Sequence, residues 1–203
     1  MKSMKDFLRA VWRWVRWPVT VLIFLYAVLV GFRTVMLFDE EKTAEAVAEI
    51  HAQKITLADV MGDIMIKTNV DQATYDATVA GIDSNNNGIR DDVEMAIWKK
   101  YPNSAKIRAA ELQYAMALQL MLTKVTNTET WIAAAQEVGR GNLCIGMTTK
   151  DFHLYLSRYR EVDVLVVNNS ARKTAQDKAY DFTTGHGDRE GDVCDINLNT
   201  LPN

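Results

Sequence analysis

An apolar segment near the N-terminus constrains the fold of this chain more than any other feature. It runs from Trp17 to Phe38, and its 22 residues match the roughly 20 that a helix needs to cross a bilayer. Arg33 interrupts it near one end, where a long side chain can reach the headgroups. Trp12 and Trp14 precede it among basic residues, as in an interfacial aromatic belt. The segment predicts one transmembrane helix that contacts the lipid bilayer through residues 17–38.

Charge gives this segment an expected orientation. Residues 1–16 carry a net charge of +4, and the rest of the chain carries −7, for a total of −3. Positively charged flanks stay in the cytoplasm, so residues 39–203 are expected outside it. A cleaved signal peptide is the alternative, but Leu29 is too large for the nearest cleavage frame, which ends at Gly31. We therefore expect an uncleaved signal anchor in the cell membrane, with residues 1–38 as basic stretch and anchor and 39–203 as the extracytoplasmic domain.

Composition narrows the class of that domain. Apolar residues make up 48% of the 203 residues and charged residues 24%, which is typical of a globular protein and excludes a disordered or collagen-like chain. The net charge of −3 also argues against a nucleic-acid partner. We therefore expect a small folded domain on one membrane anchor.

Two cysteines agree with an exported domain. An even number of cysteines outside the cytoplasm indicates a disulfide, here between Cys144 and Cys194. A zinc site from these cysteines with His153 or His186 is the alternative, although no CxxC or HxxxH spacing supports it.

Hydrophobic periodicity and capping residues predict a mainly α-helical domain. The expected helices cover residues 39–61, 72–80, 92–100, 104–125, 128–138 and 150–182, the last with a break at 168–170, and residues 62–71 form a linker. Gly139 is expected to end the fifth of these helices. His51 falls on the apolar face of the first helix, where it is either a ligand or, as we expect, a partly buried structural residue.

One motif carries specific chemistry. Residues 83–94 match every fixed position of the EF-hand loop pattern, D-x-[DN]-x-[DN]-G-x5-E. Gly88 allows the sharp turn that such a loop requires. The expected oxygen ligands are the side chains at the alternating positions, the backbone carbonyl after the glycine and a bidentate glutamate in the next helix. In this sequence they are Asp83, Asn85, Asn87, Ile89, Asp91 and Glu94.

The loop resembles the EF-hand superfamily and, in detail, the thrombospondin type 3-like loops of exported bacterial proteins. The segment from Thr78 to Gln113 also resembles an uncharacterised family of small membrane-anchored exported bacterial proteins. The resemblance of the loop to the EF-hand superfamily implies calcium as the cofactor, whereas the wider resemblance implies no known activity. Because Asn85 and Asn87 stand where aspartates are common, we expect a dissociation constant of about 10⁻⁴ to 10⁻³ M, the range of extracellular modules. Arg90 replaces the usual aliphatic residue and does not fit a paired EF-hand.

A second acidic segment lies near the C-terminus. Residues 186–195 resemble the excalibur motif of exported bacterial proteins, although His186 and Glu190 replace expected aspartates. We expect an acidic turn held by Cys194 more than a second ion site.

The function predicted from these features is a non-enzymatic, membrane-anchored extracytoplasmic calcium-binding protein with a structural or protein-interaction role. Its expected partner is an envelope or membrane protein. Phosphate-binding glycine loops, G-x-S-x-G and H-E-x-x-H are absent from the sequence. A cell-envelope hydrolase with an unrecognised active site, for which His153, Ser157 and Asp151 are the nearest candidates, and an accessory subunit of a membrane complex remain as alternatives.

Overall fold

The structure is a computed structural model, and it describes residues 4–62 and 70–202. About 70% of the described residues are helical and none of them lies in a strand, which confirms the predicted fold class. The chain divides into two compact units, Met1–Glu45 and Ala46–Asn203.

The first unit consists of one helix. This helix, α1 (Met4–Ala52), continues into the second unit. Its apolar part has a mean hydropathy of 2.3 over an 18-residue window, and none of that window is buried. Side chains such as Leu22, Phe24 and Leu29 are more than half exposed. By length and composition, α1 could cross a membrane.

The second unit is a helical domain. After the end of α1 it contains α2 (Leu57–Met61), α3 (Gln72–Tyr75), α4 (Asp91–Lys100), α5 (Ala105–Thr123), α6 (Thr128–Met147), α7 (Phe152–Val166), α8 (Ser170–Tyr180) and a short 3-10 helix (Leu198–Thr200). The side chains of Ser104, Asn127, Asp151 and Asn169 cap α5, α6, α7 and α8 by accepting hydrogen bonds from backbone N–H groups in their first turns. These caps fix where each major helix begins.

The core is built around α5. It packs against α2, α4, α6, α7 and α8, and nearly all of its residues are buried. This burial on all sides follows from the sequence, since Ala, Leu and Met occupy every face of the helix. The closest approach is to α6, where a Cβ added to Gly141 would lie 2.7 Å from Tyr114 Cα. Gly141 therefore sets the distance between α5 and α6.

Three helix boundaries differ from those predicted. The helix expected over 39–61 breaks after Ala52, because Thr56 adopts an extended conformation and caps α2 together with Asp59. The helix expected to end at Gly139 continues to Met147, since that glycine lies on an exposed face where it is tolerated. The helix expected over 72–80 covers only Gln72–Tyr75. Within the expected linker 62–71, residues 63–69 lie outside the described residues.

The predicted disulfide between Cys144 and Cys194 is present, and it joins α6 to the C-terminal segment. The same segment is held by hydrogen bonds to Gln113, whose side chain contacts the carbonyl of Val193 and the N–H of Asp195 at 2.9 Å each. The C-terminal segment is thus part of the folded core. The disulfide also rules out zinc binding by these cysteines, since neither sulfur is a free thiolate.

Candidate metal centre

The predicted ion-binding loop, residues 83–94, leads from α3 into α4. Asn86 and Gly88 adopt left-handed backbone conformations, with φ of 57° and 82°, and these two residues turn the chain back toward α4. α4 begins at Asp91, so Glu94 lies in its first turn, as the motif requires. The loop therefore has the tight turn and the helix start that the sequence predicts.

Two carboxylates hold the loop backbone together. Asp83 accepts hydrogen bonds from the N–H groups of Asn87 at 3.2 Å and Gly88 at 2.8 Å. Asp91 accepts from the N–H of Ser84 at 2.8 Å and from its hydroxyl at 2.7 Å. These bonds close the loop at both ends. Burial, as the largest cause, raises the pKa of Asp83 above its ordinary value.

The side chains of the other predicted ligands meet in the loop interior. The side-chain amide of Asn87 donates to Glu94 Oε1 at 2.7 Å, and that of Asn85 lies 3.4 Å from both oxygens of the same carboxylate. The Asn87 amide also donates to Asp59 Oδ1 at 2.8 Å. Glu94 and Asp59 are almost fully buried. Two buried carboxylates thus share one amide group.

Sequence reasoning missed Asp59, which the motif does not include. It lies on α2, 28 positions before Asn87, and its second carboxylate oxygen accepts hydrogen bonds from the backbone and hydroxyl of Thr56. The side chain of Trp98 on α4 donates to the backbone carbonyl of Asp59 at 3.0 Å. Thr56 and Asp59 form a recognisable capping box, but nothing in the sequence connects that box with the loop.

Glu94 has the most perturbed carboxyl group of the loop. Burial raises its pKa from 4.5 to about 8, and the nearby charges of Asp59 and Asp91 raise it further, against the lowering effect of the two asparagine amides. Its charge is thus poorly compensated by neutral amides. A bound cation would compensate that charge directly.

The described residues contain no group of three or more His, Cys, Asp and Glu side chains arranged to hold a metal ion. The structure brings together Asn85, Asn87 and Glu94, whereas Asp83 and Asp91 point to the loop backbone and Ser84. The donor set still fits calcium in kind, because all its side chains supply hard oxygens. Binding would require the two asparagine amides to present their oxygens to the ion in place of their nitrogens.

Ile89 and Arg90 anchor the end of the loop. Ile89 is buried and its N–H donates to Asn87 Oδ1 at 2.9 Å. Arg90 is also buried and donates to the carbonyl oxygens of Leu165 at 2.9 Å and Val166 at 3.2 Å, at the C-terminal end of α7. A cation is favourable at that end of a helix. Arg90 thus docks the loop on its own domain, which explains its departure from the paired EF-hand pattern.

His51 belongs to a different cluster, which joins the end of α1 to α6 and the C-terminal segment. Its Nδ1 lies 2.8 Å from the buried carboxylate of Glu137, which also contacts Arg140 and Arg189. Arg140 reaches Asp195 at 2.8 Å. These contacts place His51 beside a network of charged side chains on α6 and the C-terminal segment, in agreement with the structural role expected for a partly buried histidine.

The histidine and serine considered for a hydrolase lie on one groove beside α7. His153 and Ser157 both line it, but the Ser157 hydroxyl donates to Glu161 at 3.2 Å. Asp151 is occupied as the cap of α7. The serine thus faces a carboxylate instead of a histidine base, an arrangement unlike that of a nucleophilic triad.

Comparison with known proteins yields no match among family models, curated proteins or solved structures. A functional assignment therefore depends on the geometry and chemistry of the chain itself.

Proposed function

We propose that the chain is a membrane-anchored extracytoplasmic protein whose loop, residues 83–94, binds calcium in a structural role. The observation that carries this proposal is the buried carboxylate of Glu94, which meets the neutral amides of Asn85 and Asn87 at the bidentate position of an EF-hand-like loop. No Lys or Arg among the described residues pairs with it. A divalent cation supplies the missing positive charge.

The loop also connects the parts of the domain that calcium would stabilise. It contacts α2 through Asp59, α4 through Glu94 and the end of α7 through Arg90. An ion held by Asn85, Asn87 and Glu94 would fix the first turn of α4 against the loop. Calcium would then raise the free energy of unfolding in proportion to its binding, because only the folded chain assembles the ligands.

Calcium titration calorimetry of the full-length chain in lipid nanodiscs tests this proposal. At about pH 8, where the Glu94 carboxyl is substantially ionised, we expect saturable binding with a dissociation constant of about 10⁻⁴ to 10⁻³ M. Glu94→Gln should abolish binding yet stay folded, because it replaces a buried charge with a neutral side chain of the same shape. Asp177→Asn, on an exposed part of α8, should bind as the unaltered chain does.

Absence of saturable binding up to about 10 mM calcium, well above the expected range, would contradict the proposal. Binding that persists in a folded Glu94→Gln variant would also contradict it. Thermal unfolding of each variant in chelator shows whether it is folded.

The proposed location has separate support. A disulfide is typical of an oxidising compartment, and the basic residues before the apolar helix favour a cytoplasmic N-terminus. Protease added to intact spheroplasts should then degrade residues 46–202 and spare the anchor. Protection of the domain until the membrane is opened would contradict this orientation.

The proposed partner is an envelope or membrane protein. Three apolar side chains at the junction of α6 and α7, Leu143, Met147 and Phe152, are more than half exposed. Exposed apolar side chains that lie close together are typical of interaction surfaces, and they support the interaction role.

A further inference from the structure

The groove beside α7 has no part in the calcium proposal. It lies between α7 and the C-terminal half of α4, and its volume of about 700 Å³ is within the range of small-ligand pockets. The two helices run antiparallel there, because Arg90 at the start of α4 contacts the last carbonyls of α7, whereas Lys100 at the end of α4 pairs with Glu161.

Aliphatic side chains line much of this groove and remain partly exposed. They come from both helices: Ala96 on α4, and Leu156, Val164 and Leu165 on α7. Val164 is 69% exposed, whereas Val162 on the same helix is buried in the core. Adjacent exposed aliphatic side chains are stabilised when an apolar group covers them and removes them from water. The groove therefore favours a ligand with an alkyl chain.

The polar residues of the groove leave one positive charge without an opposite charge. Glu161 pairs with Lys100 and accepts a hydrogen bond from the Ser157 hydroxyl at 3.2 Å, so its carboxylate already has partners. Arg160 is exposed and forms no ion pair among the described residues. Its guanidinium lies 6.0 Å from the ring centre of Tyr159, a contact that leaves its N–H groups available. The groove therefore favours an anionic ligand.

The charged and apolar features lie next to each other along α7. Val164 follows Arg160 by four residues on the same face of the helix, which is about 6 Å along its axis. A guanidinium can donate two parallel hydrogen bonds to one carboxylate. His153 lines the groove two turns before Arg160 and adds no negative charge. A ligand with a carboxylate at Arg160 and a short alkyl tail over Val164 would match both features.

We propose that the groove beside α7 binds a free, water-soluble amphiphile with one alkyl chain and a carboxylate head group. Arg160 holds the head group, and the tail covers Val164 and Leu165. This site goes beyond the calcium proposal and does not depend on it, because none of the residues that line the groove belongs to the loop 83–94.

NMR titration of the full-length chain in zwitterionic lipid nanodiscs, with a calcium chelator present, tests the site. The probe is hexanoate, which is ionised at about pH 8. It is added to about 50 mM to cover the weak affinities of very small ligands. The methyl signals of Val164 and Leu165 should shift and saturate. Hexylammonium, which has the same alkyl chain and the opposite charge, should bind at least about tenfold more weakly, because Arg160 repels it.

Two variants and one control separate the head group from the tail. Arg160→Gln, at an exposed side chain, should remain folded and weaken hexanoate binding about tenfold, because a charged donor is lost. Lys178→Gln, at an exposed lysine of α8 outside the groove, removes the same charge and should leave binding unchanged. Val164→Thr keeps the shape of the side chain but replaces a methyl group, so binding should weaken about fourfold, judged by the Leu165 signals.

Shifts that rise linearly without saturation would overturn the proposal, as would equal binding of hexanoate and hexylammonium. Unchanged hexanoate binding in folded Arg160→Gln or Val164→Thr would also overturn it. So would equal weakening in Arg160→Gln and Lys178→Gln, because the effect would then be one of net charge. Since chelator is present throughout, these results are independent of whether the loop binds calcium.

Discussion

The helix pair α5–α6 and the loop 83–94 both bury polar side chains, but they satisfy them in different ways. Around α5, Arg108 donates to the carbonyls of Val60, Tyr101 and Pro102, and on α6 Glu137 meets Arg140. Arg108, Glu137 and Arg140 thus each have an opposite charge or a set of carbonyl oxygens.

In the loop, by contrast, buried carboxylates face neutral donors. Asp59 and Glu94 share the amide of Asn87, and Asp91 faces Ser84. Buried charges are stable when they are paired or coordinate a metal. The comparison teaches that most buried charges of the helix pair are paired by residues of the protein itself, whereas the buried carboxylates of the loop meet only neutral donors.

Glu111 on α5 is an exception to this comparison, because its Oε1 is buried without a hydrogen-bond partner among the described residues. The pH dependence of stability tests its role. Burial raises the pKa of Glu111 on α5 from 4.5 to about 7, just as it raises that of Glu94 to about 8. A carboxyl whose pKa is raised by folding binds more protons in the folded state, so stability is greatest below about pH 4.5 and falls as pH rises toward the folded pKa.

In chelator, we therefore expect the free energy of unfolding to fall by a few kcal/mol between about pH 5 and about pH 8, at 1.36 kcal/mol per unit of pKa shift. Glu94→Gln and Glu111→Gln should each remove part of this slope, as measured by urea unfolding across pH. Calcium should reduce the part of this pH dependence that is due to Glu94 and leave unchanged the part that is due to Glu111. A slope that is the same in both variants and the unaltered chain would contradict this account.

The tight packing of α5 on α6 gives the next largest effect. Gly141→Ala would place a Cβ 2.7 Å from Tyr114 Cα and 3.1 Å from its backbone nitrogen, so the helices must separate. We expect a loss of about 1–3 kcal/mol, the usual cost of overpacking. The measurement is urea unfolding at constant pH.

Gly139→Ala on the same helix is the matched control. A Cβ at Gly139 would meet nothing within 4 Å, so the higher helix propensity of alanine should raise stability by up to about 1 kcal/mol. If Gly141→Ala and Gly139→Ala changed the free energy of unfolding equally, the close approach of α5 and α6 at Gly141 would be contradicted.

These two glycines also show what the sequence could predict. Helical periodicity and capping residues predict the fold class, the start of α5 near residue 104 and the break near Asn169, because these signals are local. Gly139 was expected to end α6 on the same local reasoning. It does not, because packing of α6 on α5 through Gly141 outweighs the weak helix propensity of glycine.

In the candidate site, too, local sequence signals predict local structure but not tertiary contacts. The spacing of Asp83 and Glu94 predicts the loop, its glycine turn and the position of Glu94 at the start of α4, since all of these lie within one short segment. It does not predict Asp59, which reaches Asn87 from another helix. Such a contact arises from tertiary packing, which no local pattern encodes.

Asp59 provides the smallest expected effect and the sharpest test of the loop. Its carboxylate accepts a hydrogen bond from the Asn87 amide nitrogen at 2.8 Å, and its negative charge lies close to that of Glu94. Asp59→Asn removes this charged acceptor, so we expect calcium affinity to fall about tenfold, the effect of one hydrogen bond to a charged group.

Asp71→Asn, at the exposed cap of α3, is the control because asparagine caps equally well. Calorimetry with both variants measures the difference. If Asp59→Asn binds calcium as tightly as Asp71→Asn, then Asp59 serves only to cap α2, and the loop orients Asn87 without it.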